Sequence, residues 1–431
     1  MIHSPCRHQA KPQTMHAPQN QPEVSPVDET PASAEVLRAA LIDKLIADER
    51  MSCPRVIDAF KTIERHRFLP GVELEKAYAN DSVPIKFADN GTVISTISQP
   101  AVIAIQLEQL EVQPGHRVLE IGAATGYNAA LLSHLAGPQG KVWTVDIDQD
   151  LVDAATKHLS DHGIANAQAI LGDGAAGLTE HATYDRIIFT VGAGDVPPAV
   201  FDQLAPEGRL VLPLRLKGSV SRSIAFEWDS AACLWRSVSS AMATFIPLRG
   251  NVCSDTCVST PFTGDGDLKV ETYFEQDLDP KAIARVLDTS AHQVFTSVKF
   301  RRRQSWEWLY LWIGCVLPNG ISRMPGKREG FKPHFFWGSM ATFDRDSLAY
   351  LTIHEGTDEQ AQFWQVGVIG HGPAGEALAN TMAQAIEEWG RERPSSLSFR
   401  MAFGVHRTSL QAADPRFVID KPSCRIVVDW A

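Results

Sequence analysis

The chain has 431 residues with 40 basic and 51 acidic side chains, a net charge of −11, and it is 44% hydrophobic and 21% charged. These proportions are those of a globular protein in water, the acidic balance excludes a general nucleic-acid binder, and the length predicts two or three domains. No apolar run reaches the roughly 18 residues of a membrane helix, the N-terminus lacks a secretory layout, and seven scattered cysteines, an odd number, predict a reducing, cytoplasmic setting with no membrane partner.

Residues 1–33 are rich in Pro, Gln and His and poor in large aliphatics; such a segment is expected to be a disordered tail. From residue 34 the spacing of Leu37, Leu41 and Leu45 predicts a helix, and Pro54 opens a second one carrying Val56, Ile57 and Phe60. Residues 34–100 therefore form an N-terminal helical region. Over 101–217, "RVLEIG", "KVWTVDI", "AQAILGD", "YDRIIFTVG" and "GRLVLPL" are short apolar runs separated by helix-length segments. That alternation predicts an α/β, doubly wound, Rossmann-like parallel sheet.

Residues 218–431 read differently. "SIAFEWDSAACLWRSV", "WEWLYLWIGCVL", "SMATFDRDSLAYLTIHE" and "FWQVGVIG" are expected strands, and "PAGEALANTMAQAIEEWGRE" an expected helix, giving an additional α+β domain. Cys253 and Cys257 form a CxxxC pair with no second pair or histidine cluster, so no metal site is expected.

Two glycine loops compete for a nucleotide-bearing cofactor. "GHGPAG" contains Gly370-x-Gly372-x-x-Gly375 between a strand and a helix. However, the acidic residues about 20 positions on, Glu387 and Glu388, lie within that helix and not at a strand tip, and Pro373 removes an N–H. A tight turn needing small residues is the reading there. In "EIGAATGY", by contrast, strand "RVLEIG" precedes the loop and Asp146 closes the next strand at the required distance, with Asp148 two residues on. "LGDGAAG" then brings Gly172, Asp173 and Gly174 to a third strand end, placing Asp173 for an adenine amino group. Glu120 stands just before Gly122, where a carboxylate repels a pyrophosphate and suits a cationic, phosphate-free ligand. S-adenosyl-L-methionine, a sulfonium with an amino group, a ribose and an adenine, is such a ligand.

"VLEIGAATGYNAALL" resembles the first motif of the protein L-isoaspartate O-methyltransferases, E/D-x-G-x-G-x-G-Y, with Ala124 in place of the middle glycine and with Thr125, Gly126 and Tyr127 completing the loop. "RHRFLP", "AYANDSVPI" and "TISQPAVIA" are similar to motifs upstream of that family's cofactor domain, and "GDG" and "LAPEGRLVLPL" to motifs downstream. The resemblance spans about residues 35–217. It implies methyl transfer to a side-chain or isoaspartyl carboxylate of a peptide or protein, with Ser98 at the active-site serine position and Thr96 beside it. An ionised carboxylate needs no strong base; the hydroxyls have only to orient it. Read without the family, "STIS" is a turn capping the helix that starts near Pro100.

Ala101 and Val102 stand where the repair enzymes often carry His and Met, and the repair enzymes lack the last 210 or so residues. A long extension resembles the methyltransferases that accompany ribosomally made, modified peptides, the FxLD-system and lanthipeptide-associated group. That resemblance implies methylation of an aspartate in a precursor peptide, followed by succinimide and isoaspartate formation. In "KFRRRQSWEWLYLW", strand alternation puts Trp306, Trp308, Tyr310 and Trp312 on one face beside Arg301, Arg302 and Arg303, either as core or as a peptide-binding surface. His354 is a lone histidine for which a structural role is expected. General isoaspartyl repair, a silent peptide-binding scaffold and, last, a dinucleotide oxidoreductase are the competing readings.

Overall fold

The computed structural model describes residues 33–250, 257–264, 266–302, 304–328, 339–358, 362–392 and 397–430. Residues 1–32 of the expected tail (1–33), Cys253 and Arg303 lie outside the described residues.

The N-terminal region starts at α1 (Ala34–Ala47), where the Ser33 hydroxyl accepts a hydrogen bond from the Val36 N–H at 3.3 Å and Leu41, Ile42 and Leu45 are buried. α2 (Pro54–Thr62) opens on Pro54, which costs no helical hydrogen bond in the first turn, and it buries Val56, Ala59 and Phe60. A single turn, α3 (Leu74–Ala77), leads into an antiparallel hairpin, β1 (Val83–Phe87) and β2 (Val93–Ile97), in which Pro84 faces Thr96. α4 (Pro100–Leu110) follows.

The expected alternation then appears in order: β3 (Arg117–Ile121), α5 (Tyr127–Ala136), β4 (Lys141–Asp146), α6 (Gln149–Asp161), β5 (Ala167–Leu171), β6 (Tyr184–Phe189), α7 (Pro198–Phe201) and β7 (Leu204–Lys217). β4 and β6 flank β3 in parallel, β5 extends the sheet beyond β4 and β7 beyond β6. Val118 to Ile121 are buried in succession, as in a strand covered on both faces.

β7 turns back at once into β8 (Val220–Asp229) and then β9 (Leu234–Met242), both antiparallel. β10 (Val258–Pro261) and β11 (Lys269–Thr272) pair with each other. The single turn α8 (Pro280–Ile283), β12 (His292–Arg301), α9 (Glu307–Val316), β13 (Ser322–Met324), β14 (Ser339–Asp344), β15 (Ser347–Thr357) and β16 (Gln362–His371) come next. The chain ends with α10 (Gly375–Glu392), β17 (Leu397–Phe403), β18 (Val418–Asp420) and β19 (Cys424–Trp430). β12, β16, β15, β14 and β13 form a second, antiparallel sheet in that order, with α10 packed on it.

β17 pairs with β9, so the main sheet runs β18-β19-β17-β9-β8-β7-β6-β3-β4-β5, ten strands that join the parallel half to the last strands of the chain. The core is shared as well: Ile187 and Leu212, Phe226, Leu309 and Ile313, Val366, and Phe399 and Ile426 belong to one continuous buried cluster. The expected boundary at 217/218 falls in the turn of the β7–β8 hairpin, where Lys217 faces Val220.

The expectation for "WEWLYLWIGCVL" is corrected. It is the helix α9, and every residue from Leu309 to Cys315 is buried. A helix enclosed on all sides has no polar face, so the 3.6-residue period that marks a helix is absent from its sequence. The four aromatics therefore do not share a sheet face. Tyr310 and Trp312 are core residues, Trp306 caps the helix and stacks on Phe300, and Trp308 lies under Arg222. Arg301 pairs with Asp358 at 2.8 Å, and the His354 ring packs edge-on against Phe295.

The second glycine loop is a strand-to-helix turn. Gly372 has φ +91°, and a Cβ on Gly370 would collide with the Gly375 carbonyl at the start of α10. Protein backbone fills the space that a phosphate would need.

Candidate active site

Strand β2, the ends of β3, β4 and β6 and one loop from beyond β9 line a cleft of about 830 Å³ including its open mouth. Of the residues singled out in the sequence, Thr96, Ser98, Glu120, Gly122, Thr125, Tyr127, Asp146 and Gly174 line it. Gly126, Asp148, Gly172 and Asp173 are within two positions of lining residues in sequence but do not line the cleft themselves.

The loop after β3 is shaped by its small residues. Gly122 has φ +106°, and a Cβ there would strike the Thr190 hydroxyl, which donates to the Gly122 carbonyl at 2.8 Å. Gly126 has φ +86° and rests on Ala155 of α6. Ala124, at the position of the family's middle glycine, is held at φ +46°, in the left-handed region where a Cβ costs roughly 1–2 kcal/mol. Glycine loses some of that gain through unfolded-state entropy, roughly 0.5–1 kcal/mol. Ala124→Gly is thus expected to raise stability slightly, by less than about 1 kcal/mol, and calorimetric melting of the cofactor-free protein measures it.

Glu120 is fully buried at the base of the cleft. Its Oε1 accepts a hydrogen bond from Asn128 Nδ2 at 2.7 Å, whereas Oε2 has no hydrogen-bond partner among the described residues. Burial pushes this carboxyl up to about 7, against the pull of the neighbouring Thr144 hydroxyl and the Asn128 amide. Asp146 accepts from the Ala124 N–H at 3.1 Å and the Asp148 N–H at 3.2 Å, which fixes its carboxylate at the tip of β4, and burial raises it too. A cationic ligand with a hydroxylated ribose would suit both residues: Glu120 would hold the cationic part and Asp146 the ribose hydroxyls. S-adenosyl-L-methionine fits these residues.

Asp148 is engaged elsewhere. Lys86 of the β1–β2 hairpin lies 3.2 Å from its carboxylate and Arg249 pairs with it, and these hydrogen bonds, Arg249 first, hold the carboxyl below its ordinary range. Its position ties hairpin and distal loop together across the cleft mouth. Gly172 donates its N–H to the Asp146 carbonyl at 2.9 Å. Asp173 accepts from the Ala175 N–H at 3.0 Å and packs against Gly250, where a Cβ would meet its carboxylate.

Ser98 does not cap α4. Asn80 Oδ1 accepts from the Ala101 N–H at 3.0 Å and the cap residue is Gln99, so the Ser98 side chain is left to the cleft wall with Thr96. The opposite wall is Ile246–Arg249, anchored where Gly192 donates to the Ile246 carbonyl at 2.8 Å and Leu248 to the Gly192 carbonyl at 2.7 Å. Sequence reasoning missed this wall, together with Lys86, Asn128 and Thr190. Asn128 stands one position past the loop and was open to inspection; the others are brought in from distant segments without a local signal.

The ordered set of motifs has a counterpart among known proteins. The profile of the family described as protein-L-isoaspartate(D-aspartate) O-methyltransferase matches residues 36–252. The chain belongs to that family. Similar proteins named protein-L-isoaspartate O-methyltransferase occur in Methanococcoides burtonii, 42% identical over 160 residues (37% of this chain, 76% of that protein), and in Methanosarcina mazei, 36% identical over 220 residues (50% and 84%). Among solved structures, a protein-L-isoaspartate O-methyltransferase is 20% identical with a TM-score of 0.47, covering 84% of this chain and 96% of that one. The Plasmodium falciparum protein-L-isoaspartate O-methyltransferase, in complex with S-adenosyl-L-homocysteine, is 18% identical with a TM-score of 0.43, covering 50% and 99%. This isoaspartate-family chain is an S-adenosyl-L-methionine-dependent protein carboxyl O-methyltransferase. Among the described residues no helix is long and apolar enough to cross a membrane.

Proposed function

We propose that this enzyme methylates the side-chain carboxylate of an aspartate, or isoaspartate, in a dedicated, ribosomally made precursor peptide in the cytoplasm. The observation that carries the reading is the pair of hydroxyls, Thr96 and Ser98, in one cleft with Glu120 and Asp146, with no lysine, histidine or cysteine in the lining among the described residues. That equipment suits a nucleophile that arrives already ionised. S-adenosyl-L-methionine supplies the methyl group when bound. Glu120 and Asp146 hold the cofactor's cationic and ribose parts, and Ser98 and Thr96 orient one acceptor oxygen in line with the methyl carbon. The new O–C bond forms as the C–S bond breaks, and the sulfur keeps the electron pair. In the peptide the ester is a better leaving group than the carboxylate. The next backbone nitrogen attacks the ester carbonyl, its N–H proton leaves with the methoxide as methanol, and the resulting succinimide opens to isoaspartate with water.

A dedicated substrate is supported by the 218–431 portion, which we take as the peptide-recognition part, and by Ala101 and Val102 beside the active-site serine. General repair of isoaspartyl proteins is the second reading, favoured by the names of the relatives. Mass spectrometry separates the two. Peptides encoded beside the gene, incubated with enzyme and cofactor, are expected to gain one methyl group or lose water, while an unrelated isoaspartyl peptide stays unchanged. Methylation of the unrelated peptide alone rejects the dedicated role. Ser98→Ala is expected to lower kcat roughly 10- to 1,000-fold, as loss of a positioning contact does, with cofactor affinity unchanged in a direct titration.

A further inference from the structure

A second cavity, about 530 Å³ including its mouth, opens beside the methyl-transfer cleft. Met242, Ala243 and Thr244 line it, and Ile246–Arg249, the continuation of the same segment, wall the cleft. Thr244 and Ile246 are two residues apart, about 7 Å in an extended chain. The rest of the cavity comes from β8, α9, β13 and β14, with Val220, Tyr310 and Met340 as apolar walls.

Two guanidiniums enter this apolar space. Arg222 is 1% exposed. Its Nε donates to Ser240 Oγ at 3.2 Å, its Nη1 lies 3.4 Å from Glu307, and its plane lies over Trp308, 4.4 Å from the ring centroid. Its Nη2 is buried and has no hydrogen-bond partner among the described residues. Arg323 Nε is likewise buried without a hydrogen bond, its nearest carboxylate being Glu271 at 3.4 Å. Glu307 is itself held by the Met242 N–H at 3.1 Å. Burial pushes Glu271 toward its neutral form. Arg222 and Arg323, from two walls, thus line one cavity together with Glu307, each arginine with a carboxylate 3.4 Å away.

We propose that this cavity is a subsite for a carboxylate of the peptide substrate, carried on a short apolar stem and lying roughly two to four residues from the methylated position, at about 3.3 Å per extended residue. The proposal rests on the methyltransferase reading above and deepens it. Glu307, Tyr310, Arg323 and Met340 all lie beyond residues 36–252, so these four walls of the subsite fall outside the part that the family profile matches. The carboxylate comes either from an acidic side chain or from a free C-terminus.

The test uses the full-length enzyme and three six-residue isoaspartyl peptides: one with an acidic residue three positions away and an amidated end, one with a free C-terminal carboxylate at that distance, and one neutral at both. KM and kcat are measured with S-adenosyl-L-methionine, and equilibrium binding with S-adenosyl-L-homocysteine present. At least one carboxylated peptide is expected to show a KM and Kd at least tenfold lower than the neutral one, with kcat alike, and the better of the two identifies the source. The advantage should vanish in Arg222→Met and shrink in Arg323→Gln, whose partly exposed side chain makes misfolding a minor concern. Equal constants for all three peptides, or undiminished discrimination in both variants, overturns the subsite. If no peptide is methylated while carboxylated ones still bind preferentially, the subsite stands and the substrate reading fails.

Discussion

Glu120→Gln is expected to make the cofactor-free enzyme more stable at pH 8 and, in the same protein, to weaken S-adenosyl-L-methionine binding at least tenfold. Both effects follow from one buried carboxyl. Its folded-state value of about 7 lies above the ordinary glutamate range near 4.5. Between those values the folded protein holds a proton that the unfolded chain has lost, so stability falls as pH rises through this window and the full penalty is present above 7. A shift of that size corresponds to about 3 kcal/mol. Glutamine keeps the Asn128 contact and removes the charge, so the penalty disappears. Binding behaves oppositely, because the ligand is a cation and the ionised form of Glu120 is the one that attracts it. Wild-type affinity should therefore rise from pH 6 to pH 8, and the glutamine variant should show a flat profile. Thermal denaturation and calorimetric titration across that range measure the two trends. A variant less stable than wild type at pH 8, or one with unchanged affinity, would count against Glu120 as the residue that holds the cation.

The second large effect concerns the extension. A chain ending at Gly250 keeps every described residue that lines the methyl-transfer cleft, yet it is expected not to fold. The cut removes α9, whose Gly314 lies so close to Val220 of β8 that a Cβ would meet the valine side chain at 2.8 Å. It also removes β17, which pairs with β9 through Arg400 with Arg236 and Met401 with Trp235. Leu214, Leu216, Ile224, Phe226 and Trp235 then lose cover. At roughly 2 kcal/mol for each such side chain returned to water, the loss is about 10 kcal/mol, comparable to the entire stability of an ordinary domain. Circular dichroism melting and protease resistance test this. A cooperative melt with retained cofactor binding would show that the extension is a detachable module and that the shared core is unimportant.

The family itself was legible because its evidence is local. A glycine loop between a strand and a helix, an acid at the tip of the next strand, and the upstream "TISQP" all lie in short segments, and their chemistry follows from residue type and spacing. The parallel strands were legible for a related reason: a strand buried on both faces is a short, unbroken apolar run, and the chain had several at regular intervals. The same property misled the reading of α9. An unbroken apolar run is also what a fully enclosed helix looks like, and only the surrounding core distinguishes them.

Residue type and spacing by themselves determined the cofactor class, the mainly parallel α/β sheet and the dismissal of the Gly370 loop, and they singled out Glu120, Asp146 and Ser98, which line one cleft. Tertiary structure alone decided what surrounds them. Asp148 pairs with Lys86 on one side and Arg249 on the other, and those partners are more than 60 and 100 residues away. The cleft wall at Ile246–Arg249, the cavity around Arg222 and the ten-stranded sheet that joins both ends of the chain have the same origin. Each depends on pairings between distant segments, and a linear pattern records only the neighbours that covalent bonds supply.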